Sequence, residues 1–156
     1  GGYQEFLQTR RGVEGYPGDF VDLRGRLLGR HRGVESYTVG QRRGLGIPAR
    51  EPFYVIDIQP ETNRVVLGYR EELLAPGLTA SGMNWLITPP AGEIEAAAVI
   101  RYRHPGARAQ ITPEGGGSVR VAFETPQSAV APGQAVAFYD GDRVLGGGWI
   151  EARMNG

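Results

Sequence analysis

The chain holds 156 residues, room for one ordinary domain or two small ones, and its 17 basic residues balance 17 acidic ones to a formal net charge of zero. It has no cysteine, which excludes disulfides, thiolate nucleophiles and thiolate metal sites within it, and two histidines, His31 and His104, which argue against a histidine-rich metal site. No apolar run approaches the roughly 18 residues of a membrane helix, and no basic segment followed by an apolar one marks a signal peptide.

With 25 glycines and 11 prolines, the sequence favours short strands joined by many turns over long helices. Residues 3–10 read as a short helix with Tyr3, Phe6 and Leu7 on one side and Gly12 as its stop; so abrupt a start is expected of a piece cut from a longer chain. Gly15-Tyr16-Pro17-Gly18 is a turn. Asp19 to Leu23 is a short strand, and Gly25 to Gly29 leads into a loop, His31 to Gly46, that has neither helical nor strand period. Pro48 to Pro52 closes that loop. Phe53 to Gln59, β-branched and aromatic, is a strand, Pro60-Glu61-Thr62-Asn63 turns it, and Arg64 to Gly68 returns as its antiparallel partner. Glu71 to Leu74 suits one helical turn. Pro76-Gly77 then breaks the chain, which places a domain boundary between Ala75 and Gly82 and divides the sequence into 1–78 and 79–156.

The second part is strand and turn throughout. Met83 to Ile87 is a strand, ended by Pro89-Pro90. Ala96 to Arg103 alternates, with Ala98, Ile100 and Tyr102 on one face and Val99, Arg101 and Arg103 on the other. Gln110 to Thr112 and Val119 to Phe123 flank a turn from Pro113 to Ser118. Pro132-Gly133 fits a turn with proline first and glycine second. Gln134 to Tyr139 and Arg143 to Leu145 flank Asp140-Gly141, a two-residue hairpin signal, and Gly146 to Gly148 lets a last strand, Trp149 to Ala152, bend across the sheet. Six short strands in about 70 residues point to a small closed barrel, which removes exposed edges. The fold class expected is mainly β: a small α+β domain followed by a six-stranded antiparallel barrel.

The neutral total hides an asymmetry. Residues 1–50 hold nine arginines against five carboxylates, and residues 51–156 hold eight against twelve; no lysine occurs anywhere. Genomic base composition accounts for that bias as readily as selection does. The basic excess still marks the first third as a place where a polyanion could dock. In the loop, Arg32, Arg42 and Arg43 offer planar cations suited to phosphate oxygens, Thr38 and Gln41 offer neutral donors and acceptors, and Gly40, Gly44 and Gly46 permit turns closed to other residues. The loop reads as a nucleic-acid contact, or as a solvated surface loop. Gly40-Gln41-Arg42-Arg43-Gly44 is not a P-loop, since the Lys-Ser/Thr ending is absent. His31 is either an acid–base group or a hydrogen-bonded loop residue, and His104, before Pro105-Gly106, is structural. No two carboxylates pair as in a glycosidase. Arg101 and Arg103, on one strand face, cannot both lie unpaired in a small core, so that face is wet or bound to an anion. Tyr102 points the other way, its ring in the core and its hydroxyl at the rim. Gln134, held after a turn, either reads a base or sugar edge or stabilises the turn.

These residues resemble a known family. Gly29-Arg30-His31-Arg32-Gly33, Tyr37-Thr38-Val39-Gly40-Gln41-Arg42-Arg43-Gly44-Leu45-Gly46 and Tyr54-Val55-Ile56 look like the central domain of tRNA-specific 2-thiouridylases. Asn84-Trp85, Ile100-Arg101-Tyr102-Arg103, Ala131-Pro132-Gly133-Gln134-Ala135-Val136 and Leu145-Gly146-Gly147-Gly148-Trp149-Ile150 resemble the same family's C-terminal barrel, which is similar to the second domain of translation elongation factors. The resemblance implies a cytoplasmic parent enzyme that uses ATP, with Mg, to adenylate the wobble uridine of certain tRNAs and then delivers sulfur from a persulfide on a cysteine. Its ATP-binding domain and both family cysteines lie N-terminal to the region matched, so no cofactor is expected in this piece. Some members carry a methyltransferase label, for which no residue here speaks. Carried over by position, Arg101, Tyr102 and Gln134 match places where the family barrel meets tRNA. Arg103, Gln41, Arg42, Arg43 and His31 join them as candidate tRNA-binding residues, with the loop around Gln41 and Arg42 nearer the catalytic domain. Two departures are a very short turn from Arg103 to Ala109 and the lack of lysine.

The expectation is a piece that binds tRNA and has no activity alone. Its implied partners are tRNA, the ATP-binding domain and, for the parent enzyme, a sulfur-donor protein, with no membrane. The rival is a protein-interaction barrel that docks on its own catalytic domain or on a sulfur carrier. A free-standing enzyme would need a catalytic cluster, and the sequence shows none.

Overall fold

The structure, a computed structural model, describes residues 16–155; the helix expected at residues 3–10 lies outside them. The chain divides into two units between Leu73 and Leu74.

In the first unit, four strands form one sheet in the order β2-β1-β4-β3: β1 (Gly18–Val21), β2 (Leu27–His31), β3 (Tyr54–Gln59) and β4 (Arg64–Gly68). Asp22 closes the β1–β2 hairpin. Its carboxylate accepts the N–H of Arg24 and of Arg26, each at 2.9 Å, and the Arg26 guanidinium at 2.9 Å. The second hairpin, β3–β4, matches the sequence reading, and its turn ends on Asn63 in the left-handed region (φ 55°), which asparagine tolerates. β1 and β4 run parallel. Central β4 is therefore covered on both faces: Phe20, Val55, Val65 and Leu67 form one cluster, and Val21, Ile56 and Val66 the other.

The stretch read as lead-in is in fact β2, and it ends on His31. Expected at a contact surface, His31 is instead buried, 2% exposed, among the rings of Phe20 and Tyr37 at 5.6 and 5.8 Å between centroids. Its Nδ1 accepts the Gly33 N–H at 2.9 Å, and its Nε2 faces the Asn63 carbonyl at 2.9 Å. A carbonyl only accepts, so these partners assign a neutral ring protonated on Nε2. His31 thus ties the loop to the β3–β4 turn and has no free nitrogen to offer a ligand.

The second unit is a closed barrel in the order β10-β5-β8-β7-β6-β9. Its strands are β5 (Leu74–Trp85), β6 (Ile94–Val99), β7 (Ala107–Gly115), β8 (Ser118–Ser128), β9 (Ala135–Asp140) and β10 (Arg143–Met154). Every pairing is antiparallel, as the strand count led one to expect. So narrow a barrel is filled by small and β-branched side chains around one large ring: Leu78, Ile111, Val119, Val121 and Phe138 are all 1% exposed or less. The far hairpins turn at Gly116–Gly117 and at Gly141–Asp142.

Strand boundaries differ from the sequence reading: β5 runs Leu74–Trp85 where Met83 to Ile87 was expected, β7 and β8 are longer than Gln110 to Thr112 and Val119 to Phe123, and three further differences have a visible cause. Pro76-Gly77 does not break the chain. The register of β5 against β8 slips between Ala75 and Gly77, and such a bulge takes a proline, which has no N–H for the ladder. The domain boundary accordingly lies before Leu74. β10 runs through Gly146–Gly148 as one strand with register slips on either side of them. And β6 stops at Val99, so residues 101–103 are not strand.

Two outcomes follow for stability. Burial works against the charge of Asp22, but the Arg26 N–H, the Arg26 guanidinium, the Arg24 N–H and the nearby Arg26 charge outweigh it and hold the carboxyl below its ordinary value of 3.8. A folded value below the unfolded one stabilises the fold above the unfolded carboxylate range, near pH 4, and that contribution is lost as pH falls through the folded value. Asp22→Asn flattens the acid limb of the stability curve, read by urea denaturation over roughly pH 2 to 6; an unchanged acid limb contradicts it. His31→Ala leaves the Gly33 N–H and the Asn63 carbonyl without their partner and costs about 1–3 kcal/mol for the unsatisfied group, read from denaturant midpoints. A loss under about 0.5 kcal/mol, typical of plain surface sites, contradicts the tie.

Candidate nucleic-acid interface

A polyanion needs cations that the chain has not already neutralised. Among the described residues, Arg26, Arg30 and Arg108 are ion-paired to Asp22, Asp19 and Glu95 at 2.9, 2.7 and 3.0 Å, and Arg120 is paired to Glu114. These four sit on strands or beside strand turns, where neighbouring chain supplies the carboxylate. The remaining candidates are in loops.

In the first unit, the loop after β2 lies along the outer edge of β3. The Gly40 N–H bonds the Val55 carbonyl at 2.8 Å, and the Val55 N–H bonds the Gln41 carbonyl at 2.9 Å. Tyr37 and Leu45 anchor the loop in the core, 7% and 8% exposed. Gln41 holds it from within: its Oε1 accepts the Thr38 N–H at 3.0 Å, and its Nε2 donates to the Arg43 carbonyl at 2.8 Å. Gln41, expected as a contact, therefore shapes the loop. Arg42 and Arg43, between Gln41 and buried Leu45, are exposed and meet no carboxylate among the described residues. Arg32, also exposed, lies over the Tyr37 ring at 6.0 Å.

In the barrel, residues 101–103 form a turn, with the His104 N–H on the Arg101 carbonyl at 3.0 Å and Arg103 at φ 65°. The cause is His104, structural as the sequence led one to expect and 9% exposed. Its Nδ1 accepts the N–H groups of Gly106 and Ile100 at 3.3 and 3.4 Å, and its Nε2 meets Gln127 Oε1 at 3.0 Å. The ring pulls the backbone inward, and the three residues before it bulge out. Tyr102, expected to fill the core, is instead 87% exposed. Arg103 lies over its ring at 5.5 Å. Arg101 donates to the Ser128 carbonyl at 2.9 Å, a bond that aims the guanidinium without neutralising it.

Gln134 is exposed at the start of β9, after the Pro132-Gly133 turn. Its own backbone is held on both sides, N–H to Ala131 at 3.2 Å and carbonyl to the Ile150 N–H at 2.8 Å. Register places it with the arginines: Val99, the last residue of β6, pairs with Ala137 of β9, so the turn after β6 and the residue before β9 share one end of the barrel. The opposite end carries Glu93, Asp140 and Asp142 together with Arg143, and Glu114 paired to Arg120. Which loops share an end is a property of the barrel's topology that no local window of sequence displays. Also beyond the sequence reading is Trp149, 57% exposed on β10. Among the described residues no group of three or more His, Cys, Asp or Glu side chains comes together to hold a metal ion.

Comparison with known proteins assigns both units. Residues 4–69 match a family model described as a tRNA methyl transferase PRC-barrel domain, and residues 75–150 match one described as an aminomethyltransferase beta-barrel domain. The chain is 50% identical over 153 residues to the tRNA-specific 2-thiouridylase MnmA of Carboxydothermus hydrogenoformans, a match that covers 97% of this chain and 42% of that protein. It is 48% identical over 152 residues to the enzyme of that name from Geobacter metallireducens and 47% identical over 152 to that of Pelobacter propionicus, covering 97% of this chain in each case and 41% and 43% of theirs. The chain spans about two fifths of the length of these relatives. With both units matched in order and near half identity sustained along nearly its whole length, the chain belongs to the tRNA-specific 2-thiouridylase family.

Proposed function

We propose that this chain is the tRNA-binding portion of a 2-thiouridylase whose sulfur chemistry is carried out by polypeptide outside it. One observation carries the reading: Arg101 and Arg103 stand exposed without a carboxylate partner among the described residues, at the barrel end that also presents Tyr102 and Gln134. Guanidiniums so placed neutralise phosphates and displace their counterions. Tyr102 offers a ring face for an unstacked base, and Gln134 offers an amide for a base or sugar edge. Arg42 and Arg43 supply a second set of cations from the first unit. His31 and Gln41 act behind that surface, as supports of the loop.

The parent enzyme in this reading is a cytoplasmic, ATP-dependent sulfurtransferase acting on the wobble uridine, with a sulfur-donor protein as partner. The residues described here do not fit ATP and its Mg: the loop Gly40–Gly44 lacks the P-loop ending and no carboxylate cluster forms. The chain has no cysteine to carry a persulfide and has no activity alone. A second reading, a barrel that docks on its own catalytic domain or on a sulfur carrier, is favoured by one observation, the gathering of exposed Leu86, Val144 and Trp149 on one wall.

Salt separates the two. Titration of this chain with a tRNA transcript shows weak binding that falls steeply with added salt, the slope reporting several phosphate contacts. Absence of binding at low salt contradicts the reading, and salt-independent capture of protein alone favours the rival. Arg101→Ala weakens tRNA binding by about 1–3 kcal/mol, typical of hydrogen bonds to charged groups, and lowers the salt slope by about one. Unchanged affinity and slope remove Arg101 from the interface.

A further inference from the structure

A second exposed ring stands across the start of β9 from Tyr102. Trp149 pairs with Ala135. Beside it, the Ile150 N–H bonds the Gln134 carbonyl and the Gly133 N–H bonds the Ile150 carbonyl, both at 2.8 Å. The position of the indole relative to Gln134 is thereby fixed. The ring packs against Gly82, where φ is +63° and an added Cβ would stand 3.2 Å from Trp149 Cδ1. From Trp149 a groove of about 360 Å3 runs along the outside of the barrel, floored by Ala137 and Gly146–Gly148 and edged by Leu86 and Val144. At Gly146, Gly147 and Gly148 an added Cβ would meet the carbonyl oxygens of Asn84, Val136 and Ser81 at 2.7, 2.8 and 2.7 Å, so these glycines let β10 lie close against β5 and β9 and leave the groove floor without side chains. No charged side chain lines this groove.

Its neighbours decide what it takes. β9 separates Trp149 on β10 from the end of β6, so Arg101 lies about two strand spacings away, roughly 10 Å. Exposed guanidiniums without carboxylates flank Gln134 on one side and an uncharged, aromatic-ended groove flanks it on the other. Cations interleaved with stacking rings are the pattern by which proteins hold unpaired nucleotides. We propose that Trp149 and its glycine-floored groove hold an unpaired nucleobase of the RNA bound at this barrel end, the base stacked on the indole. The assignment rests on the RNA-binding reading above and adds a subsite to it. A polyanion drawn by Arg101 and Arg103 delivers flat, uncharged rings to the surface beside them; a protein segment would leave those cations without a counter-charge.

The test compares this chain with its Trp149→Ala, Trp149→Phe and Trp149→Leu variants, using oligouridylate, a tRNA transcript and a blunt RNA duplex as probes. Trp149→Ala weakens oligouridylate and tRNA binding on the order of tenfold, the effect of losing one stacked base. The blunt duplex is bound as before, and the salt slope is unchanged because no cation is removed. Trp149→Phe restores most of the affinity and Trp149→Leu does not; that pair keeps the test informative if the alanine variant folds poorly, since both replacements are apolar. Equal RNA binding by all four proteins, or equal rescue by Phe and Leu, overturns the stacking subsite and leaves the RNA-binding reading standing. Failure of the parent chain to bind RNA at any salt concentration overturns both. A protein partner captured through the groove, with RNA affinity indifferent to Trp149, assigns the groove to docking and overturns the subsite.

Discussion

The exposed turn at residues 101–103 of the barrel is set by one buried ring. His104 gathers two backbone N–H groups on Nδ1 and faces Gln127 Oε1 with Nε2. Those bonds draw the backbone inward at residue 104 and leave residues 101–103 no course but outward. Had β6 continued in register along β9, Arg101 would lie opposite Ala135 and Tyr102 opposite Gln134, with the Tyr102 ring on the face that Ala98 and Ile100 turn to the interior. The histidine thus converts a strand end into a display turn. The β6-β7-β8 order makes this possible, because it brings Gln127 near the end of β8 to the same end of the sheet as the turn after β6, with only β7 between them.

The first unit uses the same device with different residues. His31 bonds backbone on both sides of its ring, to Gly33 and to the carbonyl of Asn63. Gln41 does so across its own loop, to Thr38 and Arg43. In each unit, polar side chains that could have faced a ligand are satisfied internally, and the arginines beside them are left exposed. Buried polar groups are costly when unpaired, so such internal bonds fix loop shape firmly. They limit the conformational freedom that Arg42, Arg43 and Arg101 would lose on meeting a phosphate.

How much of this was legible in the sequence depends on the range of the interaction. Turns that residue chemistry dictates locally were readable: the β3–β4 hairpin around Asn63, the Pro132-Gly133 turn before Gln134 and the β9–β10 hairpin, expected at Asp140-Gly141 and found one residue later at Gly141–Asp142. The closed barrel followed from strand number and spacing. The alternation from Ala96 to Arg103 misled because alternation continues past the last paired residue, and only the tertiary partner Gln127 marks where pairing stops. Pro76 misled because a bulge, invisible without β8 beside it, absorbs a proline. His31 was read as part of a loop because the aromatic neighbours that bury it, Phe20 and Tyr37, lie on either side in sequence and meet only once the sheet forms. For the site, family resemblance supplied the candidate residues; the barrel end that Arg101, Tyr102 and Gln134 share, the outward turn of Tyr102 and the exposure of Trp149 were not foreseen.

The arrangement of charge bears on how such a chain would find an RNA. With a formal net charge of zero, it has little field to offer at distance, and at physiological ionic strength exposed charges are screened beyond about 8 Å. Long-range steering of the kind that strongly basic proteins enjoy is therefore weak. What remains acts at short range: Arg101 and Arg103, exposed and without a carboxylate partner among the described residues, meet a polyanion only on close approach. Contacts of that range contribute orientation more than steering. In the reading proposed above, that is the contribution needed to present a nucleic acid to chemistry performed elsewhere, because a misplacement of about 1 Å at a reacting centre can cost on the order of a hundredfold in rate. Affinity supplied by short-range contacts, made only when phosphate, base and ring are all in place, favours the correctly oriented complex over loose electrostatic encounters.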